Sequence, residues 1–146
     1  MSVRVLIVAD ERRHREEGTA LRRFAVGLAA EGHRPALLLG VAANDVARRD
    51  PRLGPVPSAE VPVEVPWWIR ERTAEAVLAP LAGTRLDRPD GIIVVGHGAM
   101  PISRTIADLT GASLVADLRE RRDAEAVDER VTVAVAATPA LREIAA

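Results

Sequence analysis

The sequence contains no cysteine and no lysine, and only three of its 146 residues are aromatic. Without cysteine there is no disulfide, no thiolate nucleophile and no cysteine-ligated metal. Without lysine there is neither a Schiff-base lysine nor the lysine a P-loop requires. All twenty basic residues are arginine, a usage that, with the abundant alanine, resembles that of GC-rich bacterial genomes. Long hydrophobic runs are also missing: none approaches 18 residues, and the first, over residues 5–9, is too short for a signal peptide. A cytoplasmic chain with no membrane span is therefore expected. The net charge is −1, and the arginine clusters near residues 12–15 and 119–122 are interrupted or followed by acids. Such clusters read as solvated faces, and no nucleic-acid partner is expected. The three histidines, His14, His33 and His97, form no metal-ligand spacing, and neither a metal nor a cofactor is expected.

What the chain does have is enough length for one sizeable core, so residues 1–146 are read as a single domain. Short runs of branched aliphatics alternate with segments of helical period. Strands are expected over residues 3–9, 35–39, 61–65, 91–95, 113–116 and 131–136. Between them the period predicts helices over 19–31, 68–81 and 101–109, the first with Leu21, Phe24, Ala25, Leu28 and Ala29 inward. The third has Ile102, Ile106 and Leu109 inward and Gly111 as its stop. The charged residues 119–129 read as helix or loop, and 139–146 as a short last helix. This alternation implies an α/β, Rossmann-like, doubly wound and mostly parallel sheet with helices on both faces. Ligands in such sheets bind beyond the carboxyl ends of the strands, which directs attention to the residues just after Ala9, Val95 and Ala116.

In that register four segments resemble the N-terminal, acceptor-side domain of the retaining GT-B glycosyltransferases that use nucleotide-sugars. They are EEGTALRRFAVGLAAEGHRP, PDGIIVVGHG, TIADLTGASLVADLRE and VTVAVAATPAL. The resemblance covers nearly the whole chain through loosely spaced motifs. It implies acceptor binding here, and donor binding by a C-terminal domain or partner chain. Since that other half supplies the groups that stabilise the leaving diphosphate, this chain is not expected to catalyse transfer alone. The chain departs from the family at Gly18, which stands between Glu17 and Thr19 where the family has two adjacent glycines. The competing reading is a non-catalytic interaction protein, a homodimer that keeps only the fold. VRVLIVADE also looks like the start of a receiver domain. That reading fails because residues 92–95 run into Gly96 and His97, not an aspartate, and because there is no lysine. A dinucleotide oxidoreductase fails for want of G-x-G-x-x-G after the first strand.

The candidate site residues follow from these placements. His97, between Gly96 and Gly98 at the end of the strand GIIVV, is the candidate catalytic or sugar-contacting group, against the plainer role of packing a loop. Gly96 and Gly98 allow close backbone approach. Gly18 and Thr19 are expected to open the first helix and offer its amides to an anion. Asp117 either binds an acceptor hydroxyl or bonds neighbouring loop amides, and Asp10 is equally open. Either indole of Trp67 and Trp68 fills the core or marks a binding surface. His33 is expected to be structural, and His14 solvated.

Overall fold

The computed structural model describes residues 2–41, 56–62, 88–119, 121–125, 127 and 131–136. Six strands, β1 (Arg4–Ala9), β2 (Arg34–Val41), β3 (Ser58–Pro62), β4 (Gly91–Val95), β5 (Ser113–Leu118) and β6 (Val131–Ala136), form one sheet in the order β3-β2-β1-β4-β5-β6. Every pairing is parallel. This is a Rossmann-like arrangement, and its strand order reverses between β1 and β4. The helices are α1 (Glu11–Ala30), α2 (Met100–Thr110) and the short α3 (Arg121–Glu125). The expected helices over 68–81 and 139–146, and both tryptophans, lie outside the described residues.

Alternation along the strands divides the core into two layers. Leu6, Val8, Leu38, Ile92, Val94 and Leu114 face α2 and pack with its Ile102 and Ile106. Ile7, Ala9, Leu37, Leu39 and Val95 face α1 and pack with Ala25, while Leu21 and Leu28 cover the margin. Both faces of the central strands are thus apolar, which explains why those runs read as continuously hydrophobic. Two residues depart from the expected stripes. Phe24 is 48% exposed, and Leu109, on the last turn of α2, is 38% exposed. α2 ends at Gly111, whose φ of 76° gives the left-handed turn that a glycine accepts most cheaply.

The amino ends of the central strands are tied by Asp90. Its carboxylate accepts the Arg4 N–H at 2.9 Å and the Arg4 guanidinium at 3.2 Å, and its own N–H donates to the Arg4 carbonyl at 2.8 Å. The backbone bond first, and the side-chain bond second, hold the Asp90 carboxyl below its ordinary pKa. A depressed folded pKa contributes stability above the unfolded value of about 3.9 and loses it as pH falls through the folded value. Asp90→Asn is therefore expected to cause a small loss of stability at neutral pH that vanishes in acid. Urea midpoints of both chains from pH 7 down to pH ~2.5 check this; a constant difference across that range contradicts it.

Candidate functional site

The reversal of strand order places a crevice at the carboxyl ends of β1 and β4, and the residues after both strands meet there. The Asp10 N–H donates to the Val95 carbonyl at 3.0 Å, which joins the two strand ends. The Asp10 carboxylate caps α1 by accepting the Arg13 N–H at 2.8 Å, and its second oxygen accepts the Gly98 N–H at 3.1 Å. That approach is possible because residue 96 is glycine. Its φ is 93°, and a Cβ there would overlap the Asp10 carboxylate.

The first turn of α1 carries a buried cation. Arg13 is 4% exposed, although its neighbours Arg12 and Arg15 are solvated. Its guanidinium bonds Glu17 one turn along the helix, donates to Asp117 at 2.9 Å and lies 3.5 Å from Asp123. Burial works against the charge, but the bonds to Glu17 and Asp117 outweigh it and hold the Arg13 pKa above its ordinary value. Three carboxylates from two helices and a strand thus converge on one cation, and Arg13 locks α1 to the ends of β5 and α3.

Asp123, itself 4% exposed, occupies the middle of the crevice. One carboxylate oxygen accepts the His97 N–H at 2.8 Å and the other the Arg119 N–H at 3.0 Å. The His97 Nδ1 stands 3.5 Å from the first oxygen, an electrostatic contact longer than a formed hydrogen bond. The ring itself is half-buried, with 35% of the side chain exposed.

Of the residues expected from sequence, His97, Gly96, Gly98 and Asp117 gather at this crevice. Asp117 bonds the Arg13 guanidinium, and Arg119 at 3.3 Å, in place of the loop amides considered above. Gly18 and Thr19 are not part of it. α1 begins eight residues before Thr19, at Glu11, because Asp10 caps it and the pairs Glu11–Arg15, Arg12–Glu16 and Arg13–Glu17 support its charged first turns. Gly18 and Thr19 therefore lie inside the helix, and the Gly18 amide is spent on helix bonding. Gly18 instead makes room for the side chains of Arg22 and His14. His14 is half-buried, not solvated: its Nδ1 lies 2.9 Å from the Gly40 carbonyl and its Nε2 3.1 Å from the Arg22 guanidinium. His33 is structural, as expected, its Nδ1 meeting the Val3 N–H at 3.3 Å. Arg13 and Asp123 were not legible as site residues. The only local sign of Arg13 is Glu17 four positions on; Asp123 has none.

Beside the crevice a groove of about 370 Å³ runs between α1 and the sheet. Its floor is Ile7, Ile93, Val95 and Val115, and Leu21 and Phe24 form one wall. Arg13, Glu17, Asp117 and Arg119 line its crevice end. The volume is that of a small-molecule pocket, apolar along its length and polar at one end. Among the described residues no group of three or more His, Asp or Glu side chains is placed to hold a metal, and no helix is long and apolar enough to cross a membrane. The chain has no significant match among protein-family models, curated proteins or solved structures.

Proposed function

We propose that the chain is an acceptor-side domain of the GT-B glycosyltransferase type, which binds an alcohol with an apolar body and does not transfer sugar by itself. The observation that carries this is the apolar groove ending at Asp117 beside a turn whose amides already hold carboxylates. A hydroxyl donor finds the carboxylate oxygens of Glu17 and Asp117 at that end, while Phe24 and Leu21 cover an apolar body. A diphosphate finds the reverse. The N–H groups of His97 and Gly98 are taken, and Asp10, Asp117 and Asp123 stand where its charge would lie. The donor, on this reading, belongs to a C-terminal domain or a partner chain.

The test is an amide-shift titration with an alkyl glucoside below its micellar concentration and, separately, with a nucleotide-sugar. The glucoside is expected to move resonances around Leu21, Phe24 and Val115, and Phe24→Ala to weaken it about fivefold, the loss of roughly 1 kcal/mol of apolar contact. The nucleotide-sugar is expected to move none. Shifts at residues 96–98 with the nucleotide-sugar, and none with the glucoside, would reject the reading. A non-catalytic homodimer is the second reading, favoured by the exposure of Phe24 and Val26 on α1. Light scattering separates the two, since the acceptor-domain reading expects a monomer.

A further inference from the structure

Several donors converge on the carboxylate of Asp123. Two backbone N–H groups, from His97 and Arg119, point at one carboxylate from 2.8 and 3.0 Å. The guanidinium of Arg13, buried with 5% of its side chain exposed, faces the same group at 3.5 Å, and the His97 ring stands 3.5 Å off. These donors come from three separate places: the turn after β4, the residue after β5 and the first turn of α1. They converge at the crevice where doubly wound sheets bind acidic ligands. Convergent amides and a guanidinium are the chemistry that binds phosphate and carboxylate groups.

We propose that this is an anion-binding site which the chain fills with its own Asp123, so that a small oxyanion, phosphate or carboxylate, binds there only when that side chain is removed or displaced. The neighbouring Ala124 is buried in the core at 1% exposure, which anchors α3 and keeps Asp123 in place. A tethered group competes at an effective concentration in the millimolar range or above, so dissolved phosphate does not displace it. The site is thus preset in its occupied form, and the turn at residues 96–98 is ordered without any external ligand. This goes beyond acceptor binding and does not depend on it, since the donors are the same whatever fills the groove.

The experiment compares the wild-type chain with Asp123→Ala by thermal unfolding in formate, in inorganic phosphate and in chloride at matched ionic strength. Formate replaces the excised carboxylate, and phosphate tests the wider class. At ten times its dissociation constant either ion is expected to raise the midpoint of Asp123→Ala by about 5 °C over chloride. The wild type is expected not to respond, and Arg13→Met added to Asp123→Ala is expected to abolish the shift. An Asp123→Ala chain that is folded by circular dichroism yet indifferent to both ions overturns the proposal. So does a wild type that responds as strongly as the variant. If Asp123→Ala does not fold in chloride, recovery of folding in formate or phosphate supports the site. Should it recover in neither, the proposal is overturned, because the ion that replaces the excised carboxylate does not restore the site.

Discussion

Replacing Arg13 by methionine is expected to lower the unfolding free energy by about 3 kcal/mol, although the new side chain fills much of the same space. The loss comes from what stays behind. Asp123, 4% exposed, keeps the amide donors of His97 and Arg119 but loses the Arg13 guanidinium. Asp117 and Glu17 are 24% and 33% exposed, so water recovers part of their solvation, which sets the figure below the top of the range for broken buried pairs. The neighbouring Arg15→Ala tests the specificity of the effect. Arg15 is 66% exposed and pairs across the helix surface with Glu11, so its replacement is expected to cost about 0.5 kcal/mol or less. Urea unfolding of both variants at neutral pH makes the comparison. Equal, small losses would mean that Arg13 is not the lock between α1, β5 and α3.

Gly96→Ala is expected to be equally severe, at about 3 kcal/mol or more, and for a different reason. The backbone there has φ 93° and ψ 143°, a region that only glycine occupies comfortably. A Cβ would also overlap the Asp10 carboxylate, so the side chain that caps α1 and holds the Gly98 N–H would have to move. Gly111→Ala is the milder reference. Its φ is 76° and its ψ 11°, the left-handed helical region, and nothing lies within 4 Å of the added carbon, so only a conformational cost of roughly 1 kcal/mol is expected. If the two alanines cost the same, neither the glycine-only backbone at residue 96 nor the close approach of Asp10 contributes.

The layered fold could be read because its signals are local. GIIVV, the run after Met1 and the 3.6-residue period of residues 101–109 each specify an element within a few positions, and right-handed connections then leave few arrangements. The residues after Ala9, Val95 and Ala116 could be singled out for the same reason, and Asp10, His97 and Asp117 do stand together. The start of α1 has no signal of this kind because residues 11–18 carry no apolar stripe. Their helix rests on the Asp10 cap and on charge pairs four residues apart, not on burial. The burial of Arg13 had almost no local trace. Two of its three carboxylates lie 104 and 110 positions away, and an arginine among arginines reads as solvated until the sheet brings those partners to it. Asp123 was hidden likewise, since its amide donors belong to turns whose direction only the tertiary structure sets.

The claim on which the reading of the crevice rests is that the N–H groups of His97, Gly98 and Arg119 are held by the carboxylates of Asp123 and Asp10. Amide hydrogen exchange, resolved by residue on the wild-type chain and on Asp123→Ala, tests it most directly. All three amides are expected to exchange slowly in the wild type. In Asp123→Ala, His97 and Arg119 should exchange faster by tenfold or more, while Gly98, held by Asp10, keeps most of its protection. Fast exchange of His97 and Arg119 in the wild type, or no change on removing the carboxylate, would contradict it.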